Sequence, residues 1–158
     1  MESRPYYSSP CMLQETDPTY NGFLSNTDAA ALILPLLHAE RAGAQLCAKL
    51  HRDAPSEQYR AMLKTIGADE AKSCKGLINS LQELGHVPDD RVGDFVEKCL
   101  AVEGFVERLK FLNKGQQWVI RKIKELLPRI QQASIHAQLK QMLDDHQHNV
   151  DRLNALLV

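Results

Sequence analysis

The sequence predicts an all-α protein, an antiparallel four-helix bundle with an N-terminal extended arm. From Thr27 to the end only Pro35, Pro55, Pro88 and Pro128 interrupt a helical pattern, β-branched residues never alternate for long, and short loops join long helical stretches. The 158 residues amount to about one domain, long enough to bury roughly two-thirds of the unfolded surface around a single core.

Residues 1–26 are rich in Ser, Pro, Tyr, Asn and Thr without a sustained period and read as the arm, leaving 27–158 for the bundle. The first helix is expected over about Thr27–His51, opening on the capping cluster Asn26-Thr27-Asp28, with Leu32, Leu36, Leu37, Ala44 and Leu50 as apolar positions. Pro35 either kinks it or marks where its regular part begins. The second helix, about Ser56–Leu84, follows the turn RDAPSEQ and ends at Gly85 as a C-terminal cap. After the loop HVPDDRVGD the third runs about Asp94–Leu127 and stops near Pro128, and the fourth covers about Ser134–Leu157. A loop of about ten residues spans at most about 34 Å, so an up-down-down-up crossover between helices two and three is taut and the topology stays open.

Nineteen Lys and Arg against twenty Asp and Glu leave a net charge of -1, interleaved along the chain, so charge implies neither nucleic acid nor an anionic membrane. No apolar run reaches the roughly 18 residues of a membrane span, and MESRPYYSSPCMLQ lacks a signal-peptide pattern, so a cytoplasmic location is expected. Long amphipathic helices predict a homodimer. Cys11, Cys47, Cys74 and Cys99 form no CxxC or CxxH pair, which argues against structural zinc and for free thiols. No nucleophile–base arrangement, phosphate loop or nucleotide signature indicates an enzyme class.

The chemistry in the sequence lies in acidic residues at mid-helix. Bundles that hold two metal ions take one Glu from each of two helices and Glu-x-x-His from each of the other two, because i and i+3 share a helix face. Measured from the turn that joins them, Glu40 and Glu70 lie at heights that agree within roughly 3 Å. Asp145 and His148 form an acid-x-x-His pair near the centre of the fourth helix, while His146, about 100° away from Asp145, is expected to face solvent. The third helix offers Glu97, Glu103 and Glu107, but Glu107 is offset by about 15 Å of rise from Asp145, and Gln116 and Gln117 stand at the matching height.

Four stretches, HAERAGAQLCAKL, DEAKSCKGL, GDFVEKCLAVEGFVERLKFLNKGQQWVIRK and MLDDHQHNV, resemble the ferritin-like superfamily, and more closely a bacterial ferritin-like family of unknown function. The resemblance spans about residues 28–157 and implies a di-iron or di-manganese site used in oxygen, peroxide or metal-handling chemistry. Carried over residue by residue, it implies Glu40, Glu70, Glu107 (or Glu103), Asp145 and His148 as ligands. Ser73 stands where the second helix should carry a histidine, and Asp145 where the last helix should carry Glu, so the ligand set is incomplete.

Three functional readings follow. One is a metal-binding bundle acting in redox or metal handling. The second is a metal-free binding or interaction module whose inner carboxylates are ion-paired with Arg41, Arg108 or Lys residues. The third is a small-ligand pocket near Trp118, which is expected to pack across Gly115, a residue that costs a helix about 1 kcal/mol relative to Ala but permits close approach. Cys74, one turn after Glu70, is either packing or a ligand in a mixed site.

Overall fold

The structure, a computed structural model, describes residues 21–157. Five helices carry these residues: α1 (Asn26–Asp53), α2 (Glu57–Glu83), α3 (Phe95–Leu100), α4 (Phe105–Leu126) and α5 (Ala133–Leu156), with a 3-10 turn at Leu127–Arg129. Most of the expected arm lies outside the described residues. Its last part belongs to the bundle, since Leu24 is buried and its N–H donates to Arg129 O at 2.9 Å.

The helix ends follow from local chemistry. Ser25, one residue before the expected cluster, caps α1 by accepting from Asp28 N at 3.1 Å, and Ser56 caps α2 by accepting from Tyr59 N. Pro35 sits inside α1 without ending it, because the flanking Ile33, Leu36 and Leu37 are fully buried and hold the helix across the one bond lost. At the end of α2, Gly85 takes a φ of 77° while Gly85 N–H donates to Gln82 O and His86 N–H to Leu81 O, the paired closure that a left-handed residue permits.

The expected third helix is two helices. The chain breaks after Leu100 and restarts at Phe105, with Gly104 at a φ of 92° turning the corner. Arg108 holds the corner together, its guanidinium donating to Leu100 O at 2.9 Å and Val102 O at 2.8 Å, carbonyls that the end of α3 leaves without helical partners.

Contacts at both ends of the bundle set the topology. Leu24 meets Arg129, joining the start of α1 to the end of α4, and Ser134 Oγ donates to Glu83, joining the end of α2 to the start of α5. At the opposite end the Tyr59 and Phe105 rings lie 5.2 Å apart, placing the starts of α2 and α4 together. The order is therefore up-down-down-up, with α1 beside α2 and α4, and α5 completing the square. The crossover is not taut, because α3 forms part of the connection and extends it beyond the ten-residue loop. It straps across α1: Asp89 accepts from His38 Nε2 at 2.8 Å and from Arg41 Nη1, Arg41 also donates to Arg91 O at 2.9 Å, and Gly93 N–H donates to His38 O.

The core is divided along the bundle axis. One apolar cluster contains Ile33, Leu37, Leu77, Ile123 and Leu139, the other Leu46, Leu63, Ile66, Leu109 and Leu153. Between them every long helix contributes a buried polar residue: Glu40, Glu70, Gln116 and His146. Among the described residues, no helix is long and apolar enough to cross a membrane.

Candidate metal centre

Each helix places its polar residue by continuing its apolar stripe. On α5 the buried positions run Ile135, Leu139, Met142, His146, Asn149 and Leu153, steps of three and four that keep one face inward. His146 is thus fully buried, contrary to the solvent-facing orientation expected for it, because the inward stripe passes through 146 and leaves 145 and 148 to either side. On α1, α2 and α4 the same stripes carry Glu40, Glu70 with Ser73, and Gln116 inward.

Glu40, Glu70 and His146 each present a ligand atom within 4.8 Å of the others, with side chains essentially inaccessible to solvent. His146 Nε2 lies 3.0 Å from Glu40 Oε1 and 3.8 Å from Glu70 Oε1. On the far side of the ring Nδ1 is 2.8 Å from Met142 O. A carbonyl can only accept, so Nδ1 carries the hydrogen and, in the neutral ring, the Nε2 lone pair faces the carboxylates. Gln116 Nε2 donates to Glu70 Oε1. Two buried oxygens in this layer, Glu40 Oε2 and Gln116 Oε1, have no hydrogen-bond partner.

Two carboxyls in one dry layer cannot both ionise cheaply. Burial pushes the Glu40 carboxyl up from 4.5 to about 7, a rise that neighbouring Glu70 and Ser73 oppose in part. Burial, and then the charge of Glu40, holds Glu70 well above the ordinary range, with His146 and Gln116 acting against the rise. The pair therefore holds a proton that exposed carboxyls would have released. No Lys or Arg among the described residues pairs with either carboxylate: Arg41 is held by the crossover and Arg108 by the α3–α4 corner. The ion-paired inner layer expected as the rival is thus not formed with those arginines.

The remaining sequence candidates lie elsewhere. Asp145 pairs at the surface with Lys72 at 3.3 Å, His148 is exposed with Nδ1 donating to Asp144 O, and Glu107 is exposed and pairs with Lys110 at 2.8 Å. The structure does not bring these three to the buried layer. For Glu107 the reason is height, since it lies in the first turn of α4, about two and a half turns before Gln116; for Asp145 and His148 it is helical phase. Cys74 stands outside the ligand cluster, its thiol pushed up to about 12 chiefly by burial, and Cys47, Cys74 and Cys99 are free.

Gly43 makes room for this arrangement. A Cβ there would lie 2.7 Å from Glu70 Oε2, so only glycine lets α1 approach the carboxylate this closely. A cleft of about 560 Å³ reaches the layer from outside between α1, α3 and α4, passing Phe95, Phe111 and Trp118. Gly115 lines it, and the ring that packs across Gly115 is Phe95, not Trp118: a Cβ there would meet Phe95 Cζ at 2.5 Å.

The donor set discriminates between one metal ion and two. Two ions need four carboxylates and two histidines in this kind of bundle. Here Ser73 and the buried Asn149, whose amide donates to Asp69 at 3.2 Å, each stand one turn past an inward ligand, and Gln116 supplies an amide in place of a carboxylate. Two carboxylates and one imidazole fit one ion rather than two, and the unpartnered Glu40 Oε2 would be free to serve as a donor to it.

A family described as "Domain of unknown function (DUF6306)" has a profile that matches residues 29–155. No curated protein matches the chain. Among solved structures it is similar to a two-domain protein from Anabaena variabilis ATCC 29413 described as containing DJ-1/ThiJ/PfpI-like and ferritin-like domains. The TM-score is 0.68 at 16% identity, over 86% of this chain and 37% of that one, so the chain spans little more than a third of that protein. The likeness shows a ferritin-like fold.

Proposed function

We propose that this chain, which belongs to the DUF6306 family and has a ferritin-like fold, binds one divalent metal ion, iron or manganese, through Glu40, Glu70 and His146. The observation that carries this is the convergence of three buried ligand atoms from three helices, with no Lys or Arg from the described residues to neutralise the acids. Leaving two buried carboxylates without a cation is costly, and a divalent ion removes that cost while displacing the proton they hold. The Nδ1–H···O=C bond to Met142 supports the same reading, since it orients the ring and directs the Nε2 lone pair inward.

The residues divide the work. Glu40 and Glu70 would supply charge, His146 a neutral donor, and Gln116 would hold Glu70 in place through its amide. When bound, such an ion supplies redox or Lewis-acid chemistry in redox or metal handling. The cleft past Phe95 and Trp118 would let a small reactant reach the layer, and the apolar clusters above and below would exclude bulk water. The tetra-carboxylate arrangement implied by the superfamily resemblance is not part of this proposal.

Metal analysis tests it. Protein purified without chelators, or reconstituted with Fe(II) or Mn(II), is expected to hold close to one ion per chain. His146→Ala should lose it, and the double change Asp145→Ala with His148→Ala should retain it. Finding no iron, manganese or zinc above background after reconstitution would sink the proposal.

A further inference from the structure

The cleft has features that a metal ion alone does not use. At its inner end Gln116 Oε1 is buried, without a partner and outside the proposed ligand triad. Along its wall stand Phe95, Phe111 and Trp118, with Phe95 and Phe111 centroids 4.8 Å apart. At its mouth, charge is unbalanced. Lys98 and Asp94 pair with each other at 3.0 Å and His38 is held by Asp89, whereas Lys114 and Arg121 have no acidic partner among the described residues. Lys114, Trp118 and Arg121 recur at i, i+4 and i+7 on α4, so both cations flank the indole on one helix face.

We infer that the cleft binds a small planar organic acid bearing a hydroxyl or amino group at its far end. Its acidic group meets Lys114 and Arg121, its flat body lies along the aromatic wall, and its far-end donor satisfies Gln116 Oε1. The size suits this class, since a cleft of about 560 Å³ lies within the range of small-molecule sites, and its lining combines the aromatic wall with polar groups at the mouth and the inner end. The ordering of functions is physical: exposed cations select charge, the half-buried aromatic wall selects shape, and a buried acceptor without a partner selects a donor. This inference stands on the cleft and does not require the metal.

The test therefore uses metal-free, chelator-treated protein, so that failure of metal binding leaves its result unaffected. 4-Hydroxybenzoate is titrated by calorimetry, with the emission of Trp118, the single tryptophan of the chain, reporting occupancy of the cleft. Saturable one-to-one binding with a change in Trp118 emission is expected. The neutral 4-hydroxybenzamide should bind about tenfold more weakly for want of two ion pairs, and benzoate also more weakly for want of the donor. Lys114→Glu with Arg121→Glu, both exposed positions, should abolish the preference for the acid while the far-ultraviolet circular dichroism stays unchanged. Absence of saturable binding, equal affinity for the amide or for benzoate, or an unchanged preference in the folded double variant overturns the inference.

Discussion

Glu40→Gln separates the cost of the buried carboxylate from its use. The Glu40 carboxyl titrates near 4.5 when exposed and near 7 when folded, because burial disfavours its charge. Between those values the folded chain holds a proton that the unfolded chain has released, so stability is full below about 4.5, falls as pH rises, and levels off above about 7. At about 1.4 kcal/mol per pH unit of difference, the fall between pH 5 and pH 8 is about 2 to 3 kcal/mol. Glu70, shifted in the same direction, deepens it. Glutamine is close in shape and does not titrate. Whatever its baseline, Glu40→Gln should therefore gain on the wild type by about 2 to 3 kcal/mol between pH 5 and pH 8 in metal-free protein. Urea denaturation followed by circular dichroism at the two pH values, with equal m-values, measures this directly. A stability gap that is the same at both pH values would refute the reasoning that burial without a cation holds the proton on this layer.

Other expectations follow from the same geometry. Mn(II) at a hundred times its dissociation constant should stabilise the wild type by about 2.7 kcal/mol and leave His146→Ala unmoved in thermal denaturation. Apparent metal affinity should rise with pH across pH 5 to 8, as the ion competes with the proton held on Glu40 and Glu70, and titrations over that range will show it. Gly43→Ala places a Cβ 2.7 Å from Glu70 Oε2 and should cost about 1 to 3 kcal/mol in denaturation while lowering metal content. Arg108→Ala leaves Leu100 O and Val102 O without their donor and should cost about 1 to 3 kcal/mol, with hydrogen exchange speeding up first around residues 100–105.

Part of the site was legible and part was not, for identifiable reasons. Glu40 and Glu70 followed from height along a hairpin, because helical rise is fixed at about 1.5 Å per residue and the turn between them is short. The same arithmetic put Gln116 at the level of the site. His146 was missed because pairing an acid with a histidine at i+3 selected Asp145 and His148, two residues on a more exposed face. The signal that finds it is the apolar stripe Ile135, Leu139, Met142, whose next step is 146 and whose continuation is Leu153. Polar residues on an apolar stripe identify this layer on all four long helices.

By itself the sequence determined four long helices, most of their ends to within a residue or two, and the two carboxylates that face each other. These depend on propensity, capping and rise, which act within one helix or across one turn. Only the tertiary structure decided the break at Gly104, the up-down-down-up order, the phase of α5 and the turning of Arg41 away from the buried layer. Each of those turns on groups far apart in the chain: Arg108 reaching back to α3, the crossover drawing Arg41 away through Asp89, and Met142 O turning the His146 ring toward Glu40. A mid-helix polar residue has two faces open to it, and only the packing of the other helices selects between them.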